Sequence, residues 1–84
     1  ERIANFEKLL AKGPDTPLLR FSLGNAWLDE DPAKAAEHFT AALALDPSYV
    51  AAWKRLGQAL AAAGQPDAAQ EADREGIVTA EVQG

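Results

Sequence analysis

Eighty-four residues leave room for one small domain, and a chain near this size buries only about 60% of its unfolded surface, so a single modest core is the ceiling. The absence of cysteine excludes a disulfide framework, thiolate metal sites and thiol catalysis in one step. A net charge of −5, from 13 acidic and 8 basic side chains with no Lys/Arg cluster among aromatics, repels polyphosphate and excludes an ordinary nucleic-acid binder.

No apolar run approaches the roughly 18–20 residues that span a bilayer, so no membrane partner is expected and a cytoplasmic location is. The chain opens on Glu1 and contains no methionine, from which a natural start further upstream is expected.

The first element is a helix over 2–12, with Phe6 and Leu10 on one face. Thr16 and Pro17 open a second helix over 17–29, and Asp31 and Pro32 a third over 32–45. Proline costs nothing in the first helical turn, and Thr or Asp before it can accept from the free N–H groups there, each cap worth about 1 kcal/mol. By the same rule Asp46 and Pro47 are expected to lead into a fourth helix over 49–63. Gln65 is a weaker lead into a fifth over 66–81, where Pro66 and Asp67 favour the start. Nothing alternates with period two, and connections this short fold each helix back antiparallel on its neighbour. The chain is therefore expected to be all-α, an antiparallel helix-turn-helix stack.

Slid by 33 residues, the chain matches itself. Phe6, Pro14 and Gly24 fall on Phe39, Pro47 and Gly57, while Leu10, Ala11, Leu23 and Ala26 fall on Leu43, Ala44, Leu56 and Ala59. Such a period means one supersecondary unit stacked on copies of itself, each covering the face its neighbour leaves open. Gly24 and Gly57 are expected where two helices cross closely, opposite Ala35 and Ala69, with Trp27, Phe39 and Trp53 filling the space between layers.

Trp53, Leu56, Gly57 and Leu60, then Ala35, Phe39, Ala42 and Pro47 in the preceding unit, follow the order Trp-x2-Leu-Gly-x2-Tyr, Ala-x3-Phe, Pro. In this the chain resembles a tetratricopeptide repeat protein, and in particular small stand-alone bacterial members. The resemblance implies a short α-solenoid of about two and a half units. Residues 1–14 form a half repeat, 15–47 a full one, and 48–82 a repeat with a degenerate second helix. Departures are Arg20 at a Trp position, Asp73 at a Phe position, Gly76 at an Ala position, and a one-residue deletion in the first unit's internal turn.

The resemblance also implies a function: the first helices of successive repeats line a concave groove that takes a partner's peptide or helix. The matching positions are Leu18, Phe21, Asn25, Leu28 and Asp29, with Ala51, Lys54, Arg55, Gln58 and Ala62 from the next unit. Phe21 is the hot-spot candidate, and Lys54 and Arg55 are placed to hold a carboxylate. Asn25 and Arg55 match part of a carboxylate clamp known in one subset of the family, but Phe21 and Ala51 replace lysines of that clamp. The alternative is self-association into a homodimer through Val78 and Val82 on the last helix. A third reading is a docking fragment of a larger enzyme or complex.

No catalytic, cofactor or metal site is expected. His38 is the only histidine, one position from Phe39 and about 100° round the helix, and is expected at the surface. Asp29, Glu30 and Asp31 form an acidic run better explained by capping than by a cation. Ser22, Thr40, Ser48 and Thr79 have no partner base in any motif, so the chain is not expected to be an enzyme.

Overall fold

A computed structural model describes residues 2–83. Five helices follow in chain order: α1 (Arg2–Lys12), α2 (Pro17–Trp27), α3 (Pro32–Leu45), α4 (Val50–Ala62) and α5 (Pro66–Gln83). Each packs chiefly on the helices before and after it in the chain, giving a slab of 34 × 28 × 15 Å. α1 makes the least extensive of these contacts.

Two of the expected caps are present. The Leu19 amide donates to Thr16 Oγ1 at 3.1 Å and the Lys34 amide to Asp31 Oδ1 at 3.2 Å, with Pro17 and Pro32 in the first turns. The third differs. Asp46 closes α3, its amide bonding to the Ala42 carbonyl, and its carboxylate accepts from the Ser48 amide at 3.1 Å and the Ser48 hydroxyl at 2.6 Å. Asp46 through Tyr49 therefore forms a turn, and α4 starts only at Val50 without a side-chain cap. Pro47 lies in that turn rather than in a helix, and the Trp53 indole N–H donates to its carbonyl at 3.0 Å.

The two internal turns differ as the deletion requires. α2 stops at Trp27, and the Glu30 and Asp31 amides both donate to the Trp27 carbonyl, at 3.0 and 2.8 Å. α4 runs on to Ala62 and ends in a Schellman arrangement, with the Gln65 amide on the Leu60 carbonyl at 2.9 Å and the Gly64 amide on Ala61 at 3.1 Å. Gly64 takes φ +81°, the left-handed conformation that costs glycine little, and no other described residue has positive φ.

The core is built from small residues around one ring. Leu23, Ala35, Phe39, Ala42, Ala52 and Ala59 are fully buried, with Leu43, Leu56 and Ala72 nearly so. Phe39 lies directly against Gly24: a Cβ added there would sit 2.5–2.7 Å from three atoms of the ring. The ring can occupy that space only because position 24 has no side chain. In the second unit a Cβ at Gly57 would meet the Asp73 carboxylate. The degenerate repeat has kept the crossing and replaced the ring by a carboxylate. Phe21, Trp27, Leu28, Tyr49, Trp53 and Leu60 pack half-buried around this cluster.

Candidate functional site

The candidate groove is carried by α2 and α4, and its two halves are tied by aromatic contacts. Phe21 stacks on Tyr49 with centroids 4.9 Å apart and is tilted 56° against Phe39 at 5.7 Å. Because Tyr49 sits at the entrance to α4, this trio fixes α4 relative to the α2–α3 pair. Phe21 is thus half-buried at the edge of the core. Leu28 is also half-buried against the core cluster.

The remaining groove positions face outward. Leu18 is 66% exposed, and Asn25, Asp29, Ala51, Lys54, Arg55, Gln58 and Ala62 are all exposed. Arg55 reaches its helical neighbour Gln58 at 3.5 Å, a weak contact. Neither Lys54 nor Arg55 has a salt-bridge partner among the described residues. Their cationic heads are free to meet an anion without first breaking an ion pair.

Two apolar concavities flank this face. One, of about 630 Å³, lies between α4 and α5 and is lined by Val50, Lys54, Asp73, Gly76, Ile77 and Ala80. The other, of about 360 Å³, lies between α1 and α2 and includes Phe6, Leu9, Leu18 and Leu19. The first was not read from the sequence. Its signal lay in the repeat register, which places Lys54 and Asp73 at the positions of Phe21 and Phe39 in the unit before. The self-association candidates Val78 and Val82 are exposed on the second half of α5, at 49% and 82%.

His38 overturns its expected surface position. It is 8% exposed, and the guanidinium of Arg20 explains why an imidazole is accommodated there. Arg20 forks onto Asp15, with Nε and Nη2 each donating to a carboxylate oxygen at 2.8 Å, and its Nη1 donates to His38 Nδ1 at 3.2 Å. This network fills the place where the signature has Trp. Because an arginine can only donate, His38 Nδ1 accepts and the neutral ring carries its proton on Nε2, which is buried without a hydrogen-bond partner among the described residues. His38 does lie about 100° round α3 from Phe39, but the face at that angle is covered by Arg20 on α2.

Burial, reinforced by the positive charge of Arg20 and to a lesser extent Lys34, holds the His38 pKa below its ordinary value, against the smaller opposing pulls of Glu37 and Glu7. Hydrogen bonding from Arg20 lowers the Asp15 pKa. With the folded imidazole less basic than the unfolded one, the unfolded state takes up the proton first. Its contribution to stability is present above about pH 6.5 and is lost as pH falls from there through the folded value. The expected result is a melting temperature that drops on acidification from about pH 7 to 5, and a slope that flattens in His38→Gln. An unchanged slope in the variant removes the assignment.

Among the described residues no cluster of His, Cys, Asp or Glu is arranged to hold a metal, and no helix is long and apolar enough to cross a membrane.

Comparison with known proteins agrees with this architecture. A tetratricopeptide repeat model matches residues 26–72. Over 83 residues the chain is 47% identical to a TPR repeat-containing protein of Pseudomonas aeruginosa, covering 98% of this chain and 79% of that protein. A Bordetella parapertussis protein solved in solution superposes with a TM-score of 0.83 at 36% identity, over 99% of this chain and 73% of that one. With the Gly24–Phe39 crossing, the 33-residue internal match and the sequentially stacked helices, these likenesses establish that the chain belongs to the tetratricopeptide repeat family.

Proposed function

We propose that this chain is a protein-interaction module that holds a peptide or helix of a partner across the face shared by α2 and α4. Members of this family generally mediate contacts between proteins, and the all-helical fold is that of a scaffold. The observation that carries the reading is a pair of cations with no salt-bridge partner among the described residues, Lys54 and Arg55, together with exposed Asn25 and Gln58, on two helices locked together by Phe21, Phe39 and Tyr49. A rigid frame presenting uncommitted polar groups loses little entropy on binding, and its free cations favour a segment bearing a carboxylate. No reaction is assigned to it.

Phe21 serves this reading as a brace rather than as an accessible anchor, so Phe21→Ala would confound binding with stability. The test therefore uses Asn25→Ala, Arg55→Ala and Gln58→Ala together, all at exposed positions. The triple variant is expected to keep its circular dichroism spectrum and to bind an identified partner at least about tenfold more weakly, a change of ~1.4 kcal/mol. Binding that survives unchanged places the partner on another face. The division into a half repeat over 1–14 and units over 15–47 and 48–82 belongs to the same proposal, supported by the matching Gly24 and Gly57 crossings.

A further inference from the structure

The seam between the two helices of a repeat is filled differently in the two units. In the first unit the chain's own cations occupy it: Arg20 Nη1 donates to His38 Nδ1 at 3.2 Å, and Lys34 Nζ lies 4.9 Å from the centre of the Trp27 ring. In the second unit the repeat register puts Trp53 and Leu60 at the positions of Arg20 and Trp27, and Ala68 and Ala72 at those of Lys34 and His38. Both side chains of the second helix are thereby cut to a methyl group. What is left is a cleft of about 290 Å³, with Leu56, Leu60 and Ala72 as its floor, half-buried Trp53 as a wall, and exposed Glu71 and Glu75 at its edge.

This site is held open by the second repeat itself and is separate from the groove. On α4 its residues lie about 180° round the helix from Lys54, Arg55 and Gln58. On α5 it faces away from Asp73 and Ile77, whose first-unit equivalents, Phe39 and Leu43, belong to the cluster that α4 joins. The wall is also preorganised. The Trp53 indole N–H is held on the Pro47 carbonyl at 3.0 Å, and a Cβ added at Gly76 would lie 3.0 Å from Trp53 Cβ, so α5 approaches it closely.

Charge selects the occupant. Glu71 and Glu75 lie one turn apart on the same face of α5 and have no salt-bridge partner among the described residues. Like charges at that spacing repel, and a cation between them removes the repulsion. They are not part of any cluster arranged to hold a metal, and the apolar floor suits an aliphatic stem rather than a bare ion. We propose that the cleft receives an arginine or lysine side chain from a basic segment of a partner protein. The stem lies on Leu56, Leu60 and Ala72, and the cationic head meets Glu71, Glu75 and the face of Trp53.

An NMR titration of the 84-residue chain with a capped glycine-arginine-glycine peptide tests this, with the citrulline peptide as an uncharged counterpart of similar shape. Only two tryptophans give indole signals, so the readout is simple. The expected result is a saturable shift of the Trp53 indole N–H and of the amides over 71–75. The citrulline peptide, and the arginine peptide with the Glu71→Gln, Glu75→Gln double variant, are each expected to bind about fivefold more weakly or worse. The double variant keeps its circular dichroism spectrum, and the Asn25→Ala, Arg55→Ala, Gln58→Ala triple variant binds the arginine peptide as the wild type does. No saturable shift at Trp53 up to ~20 mM peptide overturns the proposal. So does equal binding of the citrulline peptide or undiminished binding by the double variant, since charge would then not choose the occupant.

Discussion

Phe39→Ala is expected to destabilise the protein by about 3–5 kcal/mol, the range for removing a fully buried aromatic ring whose cavity cannot collapse. The ring has no solvent exposure and packs on two other helices at once: on α2 it lies against Gly24 and is tilted against Phe21, and it sits in the cluster that includes Ala52 and Leu56 of α4. Small neighbours such as Gly24, Ala35 and Ala42 have no side-chain reach with which to fill the void. A domain of this length has a total stability of about 4–13 kcal/mol, so the loss takes a large share of the margin. Each kcal/mol moves the melting temperature by about 4–8 °C in a domain this small. Thermal denaturation followed at 222 nm checks the prediction; a loss below about 1 kcal/mol would mean that the core is not organised round this ring.

Gly24→Ala and Gly57→Ala are expected to change stability in opposite directions, although the two glycines occupy the same place in successive repeats. At either position alanine gains about 1 kcal/mol of helix propensity. At Gly24 the new methyl would lie 2.5 Å from a buried ring held by Phe21 and the core, and overpacking of this kind costs about 1–3 kcal/mol or more. At Gly57 it meets the end of the Asp73 side chain, which is exposed and can rotate into water; the next atom, the Ala69 carbonyl oxygen, is at an ordinary 3.5 Å. Gly24→Ala is thus expected to be destabilising by ~1–2 kcal/mol and Gly57→Ala stabilising by up to ~1 kcal/mol. Adding Phe39→Leu to Gly24→Ala should recover part of the loss, since a smaller side chain gives the methyl room. Additivity of those two substitutions would show that the glycine and the ring are not coupled.

The helices and their order were legible in the chain because their signals are local. Thr16–Pro17 and Asp31–Pro32 set two helix starts through groups three residues apart, and α1 and α3 have the expected bounds. Asp46–Pro47 carried the same local signal with a different outcome. Ser48 offers that carboxylate two donors within two residues, and Trp53 takes the Pro47 carbonyl, so the segment closes as a turn. Two favourable local uses competed, and contacts made later in the chain decided between them.

The candidate site was legible as a set of positions but not as a set of environments. Helical spacing put Phe21, Asn25 and Leu28 near one another; only packing shows Phe21 and Leu28 drawn to the core while Asn25 stays in water. His38 makes the same point more sharply. Its angle on α3 follows from 3.6 residues per turn, but its burial depends on Arg20 of α2, whose guanidinium needs Asp15 to neutralise it.

By itself, then, the sequence determined the all-α repeat, the close helix crossings at Gly24 and Gly57 and the sign of charge along the chain. These follow from periodicity, residue size and ionisation, which are properties of short stretches or of a fixed register. The tertiary structure alone decided that the Phe39 ring fills the space at Gly24, which of two equivalent crossings is rigid, and that the one imidazole is buried. Burial and open surface arise from residues far apart in the chain, and no local pattern records how their side chains share the same space.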